Sequence, residues 1–315
     1  MKIVVLDANT LGNDLDLSPL HALGEVEIFE STPPAMVAAR VRGADVAVLN
    51  KIKINRETVG ENPTLRLVAG CATGYDNVDL DYCREMGIGV CNVRGYSTHS
   101  VAQLTLAMAL SLCTNLPAFH AHVASGAYTA GGVANCLTPA FHELCGRTWG
   151  IVGYGNIGAQ VAAVARAMGC RVVAFSRSRH EGVEQPDLPT LCRISDIISI
   201  HLPLNAQTKG LIGEREIALM QPHTVLINVA RGAVTDERAL ARAIREGRLG
   251  GLGVDVYSTE PFPQDHPFFE IRHLPNVCLT PHMAWGACEA RQRCINEVAA
   301  NIAAFASGAR RCRVD

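Results

Sequence analysis

A glycine-rich turn near the middle of the chain constrains the fold more than any other feature of the sequence. The turn is Gly153-Tyr154-Gly155-Asn156-Ile157-Gly158, and it directly follows the apolar run Trp149–Val152. In a strand–turn–helix unit, the first glycine makes the turn, the second lets phosphates approach the backbone, and the third lets the helix pack on its strand. The free N–H groups of the helix N-terminus favour an anion. The pattern predicts a pyrophosphate-binding turn, in a domain inserted within, or stacked upon, a second domain.

The composition limits the classes of protein that need to be considered. The chain has 315 residues, of which 48% are apolar, and its formal net charge is −2. This length can form two cores, and the absence of a long basic run argues against a nucleic-acid partner. Strand-like Ile3–Leu6 follows the first two residues, and no apolar stretch approaches the roughly 20 residues of a membrane span. We expect a cytoplasmic protein with no signal peptide and no membrane contact.

The twelve cysteines do not form a recognisable framework. No C-x-x-C pair occurs, and several cysteines, such as Cys91 and Cys278, lie inside apolar patterns. Buried cysteine behaves as a small apolar side chain, so we expect reduced core thiols in a cytosolic protein. The pair His120-x-His122 has no nearby acidic or thiol partner in the sequence, and no metal site is predicted.

Two runs of alternating strands and helices predict two α/β domains with parallel sheets, because a parallel strand pair needs a crossover connection. The strands predicted in the first run are Ile3–Leu6, Val26–Phe29, Val46–Leu49, Leu67–Ala69 and Gly89–Asn92. Those predicted in the second run are Trp149–Val152, Arg171–Phe175, Ile197–Leu202, Val225–Val229, Gly253–Val256 and Val277–Thr280. Six strands in this order fit a doubly wound nucleotide-binding sheet.

Three helices carry further information about the organisation. The stretch Ser100–Asn115 is apolar on nearly every side, so we expect it to be buried. The helix Asp236–Glu246 has an N-cap residue at its start and Gly247 just past its end. The tail Cys288–Ser307 is an amphipathic helix with no strand after it, and we expect it to return and cover the first domain.

The segment after the second strand of the nucleotide-binding run bears on the choice between NAD and NADP. An Asp or Glu at that place would hold the ribose 2′-hydroxyl of NAD. The sequence instead has Ser176-Arg177-Ser178-Arg179 directly after Phe175. Guanidinium and hydroxyl groups suit a 2′-phosphate, so we predict a preference for NADP with contacts from Ser176, Arg177 and Ser178. A solvated basic loop that accepts both NADP and NAD is the alternative.

Three later segments place a polar side chain just beyond an apolar strand. Arg231 follows Asn228-Val229-Ala230, Glu260 lies a few residues after Val254-Asp255-Val256, and His282 follows Leu279-Thr280-Pro281. Because the carboxyl ends of the strands meet at the cofactor crevice of an open α/β sheet, these side chains could converge on a nicotinamide ring. Taken singly, each is equally compatible with a structural role.

Five segments occur in a specific order along the chain: Gly153–Gly158, His201–Leu204, Asn228–Gly232, Gly253–Pro261 and Thr280–Trp285. In these segments and their order, the chain resembles the D-isomer-specific 2-hydroxyacid dehydrogenases over essentially its whole length. The resemblance implies an α/β fold with two doubly wound parallel-sheet domains. These are a flavodoxin-like substrate domain, residues 1–99 plus 286–315, and an inserted Rossmann NAD(P)-binding domain, residues 100–285. It also implies an active site in the cleft between them and a homodimer built largely through the cofactor domain.

The resemblance assigns catalytic positions to Arg231, Glu260 and His282. Arg231 would bind the substrate carboxylate and polarise the 2-oxo group. His282 would exchange a proton with the 2-oxo oxygen, and Glu260 would hold the imidazole and favour its protonated form. The implied reaction moves a hydride between NAD(P)H and the C2 carbonyl of a small 2-oxo acid, which gives a D-2-hydroxy acid.

The resemblance also implies contacts to both ligands. The implied cofactor contacts, besides those at the second strand, are Gly153, Tyr154, Gly155, Asn156, Ile157, Gly158, Pro203, Asn205, Thr208, Val229, Ala230, Asp255 and His282. The implied substrate contacts are Asn50, Lys51, Thr73, Gly74, Arg231 and Trp285. In this scheme the backbone N–H groups of Thr73 and Gly74 meet the substrate carboxylate, and Asp255 holds the nicotinamide carboxamide.

Finer features of the sequence bear on the choice of substrate and on the competing functions. Trp285, three residues after His282, is similar to the hydroxypyruvate reductase (glycerate dehydrogenase) branch, so hydroxypyruvate and glyoxylate are the first expectation. A D-lactate-type or broader 2-oxo acid reductase stays open, because a methylene group changes discrimination by only about 1–3 kcal/mol. Formate dehydrogenases lack the Glu beside the histidine, so Glu260 argues against that chemistry. A cofactor-sensing, corepressor-like protein would bind without turnover, and the complete catalytic set argues against it.

Overall fold

The computed structural model describes residues 1–62 and 64–315, and the chain divides into two compact units. Unit 1 comprises Met1–Ser97 and Trp285–Asp315, and unit 2 comprises Thr98–Ala284. These boundaries lie one or two residues from those expected from the sequence, and they assign Trp285 to unit 1. Each unit contains one parallel sheet with helices packed on it, so the predicted fold class is confirmed.

Unit 1 contains a five-stranded sheet in the order β2-β1-β3-β4-β5, in which every neighbouring pair is parallel. This order is that of flavodoxin-like sheets, as predicted. The strands are β1 (Lys2–Val5), β2 (Glu25–Ile28), β3 (Val46–Leu49), β4 (Leu67–Gly70) and β5 (Gly89–Cys91). The helices before unit 2 are α1 (Ser18–His21), α2 (Val37–Arg40), α3 (Arg56–Val59) and α4 (Leu80–Glu85), with short 3₁₀ helices at Ala8–Thr10 and Pro34–Met36.

Both faces of this sheet are buried, which explains why its strands are apolar at successive positions. Ile3 and Val5 point into one core, which the C-terminal helix of the chain (Cys288–Ala306) completes. Val4 and Leu6 point into a second core on the opposite face. The tail helix therefore covers the sheet of unit 1, as the sequence predicted.

Unit 2 contains a six-stranded parallel sheet in the order β11-β10-β9-β8-β6-β7. Its strands are β6 (Thr148–Val152), β7 (Arg171–Phe175), β8 (Ile197–Ile200), β9 (Val225–Asn228), β10 (Gly251–Val254) and β11 (Val277–Leu279). A parallel bridge between Val173 and Glu184 extends the sheet beyond β7. The chain thus reverses its direction of travel between β6 and β8, where a doubly wound sheet binds its ligand.

The described residues of unit 2 contain eight helices. They are α5 (Thr98–Thr114), α6 (Leu116–Ala124), α7 (Ala127–Gly131), α8 (Asn156–Ala167), α9 (Leu188–Ile194), α10 (Glu214–Ile217), α11 (Glu237–Arg245) and α12 (Pro267–Ile271), with a 3₁₀ helix at Gly232–Val234; the tail helix of unit 1 is α13. Helix α11 has the predicted caps: the Asp236 carboxylate accepts from the N–H groups of Arg238 and Ala239, and Gly247 adopts a φ of +66°.

The expectation for α5 is wrong in part, because only one side of this helix is buried. Its buried residues are Val101, Ala102, Thr105, Met108 and Ala109, whereas Gln103, Ala107 and Leu110 are exposed. Composition alone showed an apolar helix but could not show what covers each side. No single helix in residues 1–62 and 64–315 has the length and apolar composition to cross a membrane, although α5 and α6, bent by 64°, meet that test as a pair.

All twelve cysteines are free, and six of them are buried in the cores. Burial raises the pKa of the Cys91 thiol to about 12 and that of the Cys192 thiol to about 12. These thiols stay protonated at neutral pH and act as small apolar groups, as predicted. Within the described residues, no group of three or more His, Cys, Asp or Glu side chains could hold a metal ion.

Candidate active site

The glycine-rich turn joins β6 to α8, and the structure shows why its first and third positions are glycine. Gly153 adopts a φ of +102°, and a Cβ atom there would lie 2.8 Å from the carbonyl carbon of His201. A Cβ atom on Gly158 would lie 2.2 Å from the carbonyl oxygen of Gly153. The turn and the close packing of α8 on its strand therefore require both glycines.

The second glycine of the turn has a different surrounding. A Cβ atom on Gly155 would meet no atom within 4 Å among the described residues. Gly155 is the N-cap of the 12-residue helix α8, and no side chain caps the N–H groups of its first turn. Open space in front of uncapped N–H groups suits an anion, so this turn fits the pyrophosphate of a dinucleotide.

The segment after β7 presents its charged groups to solvent. Arg177, Ser178 and Arg179 are exposed, and neither arginine forms an ion pair with any of the described residues. The Gln185 side chain fixes the backbone of this segment, because its Nε2 donates to the Ser178 carbonyl at 2.8 Å and its Oε1 accepts from the His180 N–H at 2.7 Å. The segment is thus held through its backbone while its guanidinium groups stay uncommitted.

His180 is a neighbour of this segment that sequence reasoning missed. Its Nε2 lies 3.2 Å from the Ser176 hydroxyl, and its ring centroid lies 4.9 Å from that of Tyr154 in the glycine-rich turn. His180 therefore links the two predicted cofactor-binding segments. The signal was present in the sequence, as an imidazole directly after a Ser-Arg-Ser-Arg run.

The three predicted catalytic residues follow three adjacent strands of the same sheet. Asn228 of β9 pairs with Val254 of β10, and Val254 pairs with Leu279 of β11. Arg231 lies three residues after Asn228, and His282 lies three residues after Leu279. Parallel strands in register end at one edge of the sheet, so the segments that carry these side chains leave from the same edge.

Glu260 and His282 form a direct pair at this edge. Glu260 Oε2 lies 2.6 Å from His282 Nδ1, and Glu260 Oε1 accepts from the Tyr257 N–H at 3.0 Å. A carboxylate against Nδ1 places the imidazole hydrogen on that nitrogen, which leaves proton exchange with a ligand to Nε2. The arrangement can orient an imidazole and stabilise its positive charge.

The turn that carries His282 has an unusual backbone that Asp255 holds in place. His282 adopts a φ of +52°, a left-handed conformation that is uncommon outside glycine. The fully buried Asp255 carboxylate accepts from the Thr280 hydroxyl at 2.6 Å and from the N–H groups of Met283 and Ala284 at 2.8 and 2.9 Å. Burial raises the pKa of this carboxyl, and these hydrogen bonds oppose the shift. Asp255 thus anchors the histidine turn; its contact with a nicotinamide carboxamide stays a prediction.

Asn228 shapes the backbone that carries Arg231. Its side chain is fully buried, its Oδ1 accepts from the Ala230 N–H at 3.0 Å, and its Nδ2 donates to the Arg231 carbonyl at 3.0 Å. Val229 and Ala230, two of the predicted cofactor contacts, are 8% exposed each. Sequence reasoning missed this role of Asn228, although a buried amide at the end of an apolar strand was a usable signal.

The remaining candidates of unit 2 form a self-contained turn. Asn205 Oδ1 accepts from the N–H groups of Gln207 and Thr208, and the Thr208 hydroxyl donates to the Pro203 carbonyl at 2.6 Å. The structure gives Asn205 and Thr208 a local structural role. Their contact with a cofactor stays a prediction.

In unit 1, Asp7 organises the segment that contains Asn50 and Lys51. The Asp7 carboxylate is 2% exposed and accepts from the backbone N–H groups of Asn50 at 3.0 Å and Lys51 at 2.7 Å. Burial raises the pKa of Asp7, and the backbone hydrogen bonds oppose the shift. The Asn50 amide is buried and donates to the Thr10 hydroxyl at 3.0 Å, whereas Lys51 is exposed.

The loop after β4 presents two backbone donors. The Thr73 hydroxyl donates to the Val93 carbonyl at 2.8 Å, and the Asn92 amide donates to the Thr73 carbonyl at 2.7 Å. The backbone N–H groups of Thr73 and Gly74 donate to no acceptor in the described parts of the chain. Trp285 is half-buried and packs against the unit 1 core that α13 completes.

The comparisons with known proteins assign the chain to a class. The model of the D-isomer specific 2-hydroxyacid dehydrogenase NAD binding domain matches residues 106–284. The chain therefore belongs to the D-isomer specific 2-hydroxyacid dehydrogenase family, and the predicted family is confirmed. Unit 2 contains the nicotinamide-cofactor domain of this family.

The relatives sharpen this assignment. A glycerate dehydrogenase of Methylorubrum extorquens is 34% identical over 308 residues, which are 98% of this chain and 96% of that protein. A glyoxylate reductase of Thermococcus litoralis is 36% identical over 295 residues, 90% of this chain and 88% of that protein. Among solved structures, an acyclic imino acid reductase in complex with NADPH and D-Arg matches the whole of both chains with a TM-score of 0.87 at 28% identity.

Proposed function

We propose that this chain reduces small 2-oxo acids to D-2-hydroxy acids with a reduced nicotinamide cofactor. The contact of 2.6 Å between Glu260 and His282, on the sheet edge from which the Arg231 segment also leaves, carries the proposal. A carbonyl beside a carboxylate needs a cation for the carboxylate and a proton donor for the oxygen, and these side chains supply both.

Each residue then has one task in the reaction. The nicotinamide ring, when bound, supplies the hydride. Arg231 binds the substrate carboxylate with a forked guanidinium and stabilises the negative charge that develops on the 2-oxo oxygen. His282 donates a proton to that oxygen in reduction and removes it in oxidation. Glu260 holds Nδ1 of the imidazole and stabilises its protonated form.

The cofactor and the substrate carboxylate would meet further donors of this chain. The uncapped first turn of α8, at Gly155, would hold the pyrophosphate. In unit 1, the backbone N–H groups of Thr73 and Gly74 are the donors that we propose for a carboxylate, and Lys51 contributes positive charge. Asn50 and Trp285 remain predicted substrate contacts.

A screen of 2-oxo acids tests the proposed reaction. We expect hydroxypyruvate and glyoxylate to give the highest kcat/KM, pyruvate a lower value and bulky 2-oxo acids the lowest, with D-configured product in each chiral case. The highest kcat/KM with pyruvate would favour a D-lactate-type enzyme instead. If neither NADPH nor NADH is oxidised with any 2-oxo acid while both bind, the chain is a cofactor sensor and the proposal is wrong.

We also propose a preference for NADP over NAD. The support is the segment Ser176–Arg179, which has no carboxylate and whose two guanidinium groups have no acidic partner in the described structure. Besides these two guanidinium groups, the His180 imidazole lies next to the Ser176 hydroxyl. Measuring kcat/KM with NADPH and with NADH tests this preference, and a higher value with NADH would overturn it.

We propose that the protein forms a homodimer through the first part of unit 2. Among residues 1–62 and 64–315, seven of the twelve exposed large apolar side chains lie between residues 110 and 141: Leu110, Leu116, Val123, Tyr128, Val133, Leu137 and Phe141. Such a concentration on one segment is typical of a surface that another protein covers.

Light scattering after gel filtration tests the dimer. We expect a particle of twice 33.7 kDa, and we expect the double variant Leu116→Asp/Leu137→Asp to shift it towards the monomer. The same double change at the exposed Met36 and Met283, outside the segment, is the control. A wild-type monomer at micromolar concentration would contradict the proposal.

The cytoplasmic location expected from the sequence also remains a proposal. Its support is that all twelve cysteines are free, as is usual in a reducing compartment. Fractionation of the source cells, followed by detection of the protein, would test it.

A further inference from the structure

A buried carboxylate at the start of α11 is not used by any of the roles proposed so far. Glu237 is only 8% exposed, and a buried carboxylate is stable only if its oxygens are hydrogen-bonded. Its Oε1 accepts from the Ser258 N–H at 2.8 Å, and its Oε2 accepts from the Ser258 hydroxyl and from His266 Nε2, the latter at 3.1 Å. Two of its three partners therefore belong to the single residue Ser258.

His266 is fixed on both sides of its ring. Its Nδ1 accepts from the Phe268 N–H at 3.2 Å, where it caps the N-terminus of α12. Because Nδ1 is an acceptor, the hydrogen of the ring lies on Nε2 and is donated to Glu237. Phe262 stacks on the ring with 4.8 Å between ring centroids, and Phe268 meets it in a T-shaped arrangement with 5.2 Å between centroids. His266 is therefore a rigid support for the Glu237 carboxylate.

Tyr257, the residue before Ser258, connects this pair to the catalytic segments. The Tyr257 N–H donates to Glu260 Oε1 at 3.0 Å, and the Tyr257 hydroxyl donates to the Thr280 carbonyl at 2.8 Å, two residues before His282. Gly232 also approaches this backbone closely, since a Cβ atom on Gly232 would lie 2.1 Å from the Tyr257 carbonyl carbon. The segments that carry Arg231, Glu260 and His282 thus all contact Tyr257 or the peptide that follows it.

We propose that Glu237 and His266 are positioning residues for the acid–base pair. They touch no reacting atom. They hold Ser258 and, through the backbone of the preceding Tyr257, whose N–H donates to Glu260, they fix the direction in which Glu260 faces His282. The inference rests on the proposed function for its effect on turnover, whereas the geometry of the Glu260–His282 pair can be measured without any substrate.

Two substitutions of His266 separate positioning of the peptide from capping of α12. His266→Asn keeps an oxygen that can cap α12 but is too short to reach Glu237. His266→Gln places an amide N–H near the position that the His266 Nε2 occupies in the wild type. It therefore keeps the hydrogen bond to Glu237 but loses the acceptor that caps α12. If positioning matters, the Gln variant retains more activity than the Asn variant; if His266 only caps the helix, the order is reversed.

The kinetic expectation is a selective loss of kcat. A small misplacement of a catalytic group is costly, so we expect His266→Asn and Glu237→Gln to lower kcat about tenfold while KM for the reduced cofactor changes by less than about twofold. The two substitutions break the same contact, so the double variant should lose no more than the worse single variant. Asp187→Ala, which removes a side-chain cap from α9 in the same unit, is the matched control and should leave kcat unchanged.

The deciding measurement is the proton NMR signal of the His282 Nδ1–H in the protein without ligands. A hydrogen bond of 2.6 Å to a carboxylate gives a strongly downfield ring N–H resonance, which His282→Ala identifies by its loss. We expect this resonance to move upfield in Glu237→Gln and His266→Asn but not in Asp187→Ala. An unchanged resonance together with unchanged kcat overturns the inference. A shifted resonance in a protein that reduces no 2-oxo acid would instead overturn the proposed function and leave the positioning role standing.

Discussion

Two regions at the same edge of the unit 2 sheet are built in opposite ways. At the region proposed to bind phosphate, which is formed by Gly153–Gly158 and Ser176–Arg179 and is called the phosphate-binding region below, the donors of α8 are uncapped and two arginines have no acidic partner in the described structure. At the acid–base region, beyond β9, β10 and β11, the anchoring groups Asn228, Asp255 and Glu237 are buried and hydrogen-bonded within the protein.

The difference follows from what each region must recognise. A phosphate brings its own charge, so a binding region needs only donors that water can occupy until the ligand arrives. A proton transfer requires the donor to stand within hydrogen-bond reach of one atom, so its groups must be held before the ligand arrives. Substitutions should therefore affect cofactor choice in the first region and turnover in the second.

The largest effect is expected from His282→Ala in the acid–base region. Loss of a positioned acid–base group should lower kcat by about 10²–10⁴-fold while binding of the reduced cofactor persists. Steady-state kinetics with the best 2-oxo acid, together with fluorescence titration of NADPH, measure both quantities. The exposed His273→Ala in the same unit is the control. A kcat equal to that of the wild type would remove His282 from the mechanism.

An intermediate effect is expected from the double variant Arg177→Ala/Arg179→Ala in the phosphate-binding region. Loss of the equivalent of one charge-assisted hydrogen bond, about 1.5–3 kcal/mol, should lower the ratio of kcat/KM for NADPH to that for NADH by about 10- to 100-fold. We expect kcat with NADH to stay at the wild-type level. Arg193→Ala removes an exposed charge from α9 and should leave the ratio unchanged. If kcat/KM falls by the same factor with NADPH and with NADH, the two arginines do not determine cofactor choice, and the contrast between the two regions is wrong.

The smallest effect is expected in stability, from Asp255→Asn. An amide cannot accept at both former oxygen positions, so we expect a loss of about 1–3 kcal/mol at pH 7. Burial raises the folded-state pKa of Asp255 above its ordinary value of 3.8, so the folded protein binds this proton more readily than the unfolded chain. Stability from this group therefore increases as pH falls towards the folded-state pKa and decreases as pH rises through it.

Thermal unfolding of the wild type and Asp255→Asn at pH 7 and pH 5 tests this sign. The variant no longer titrates at this position, so the difference in Tm should be wider at pH 5 than at pH 7. A difference that narrows on acidification would show that the carboxylate is stabilised in its ionised form, contrary to the burial argument.

The sequence predicted the parts of this site that depend on short stretches of chain. The glycine turn was predictable because its constraints act between residues five apart, as the contact between Gly153 and Gly158 shows. The proposed preference for NADP likewise rests on four consecutive residues, Ser176–Arg179. The three proposed catalytic residues were singled out as polar side chains just beyond strand ends, and the family resemblance assigned their roles.

The supporting residues were not predictable for a physical reason. Glu237 is the first residue of a helix, where an acidic side chain is ordinary, and its partners Ser258 and His266 lie 21 and 29 residues away. Only the folded sheet brings these residues together. The exposure of α5 was missed for the same kind of reason, because the sequence of a helix does not say which of its sides another element covers.

The close approach of Gly232 to the Tyr257–Ser258 peptide limits how this enzyme can diversify. Because the backbone of Gly232 lies directly against this peptide, neither loop has a side chain at the contact that a smaller residue could replace to make room for an insertion in the other. Changes that reshape substrate choice at one of these loops must preserve the path of its neighbour. Directed evolution of new specificity is therefore better aimed at residues outside this contact.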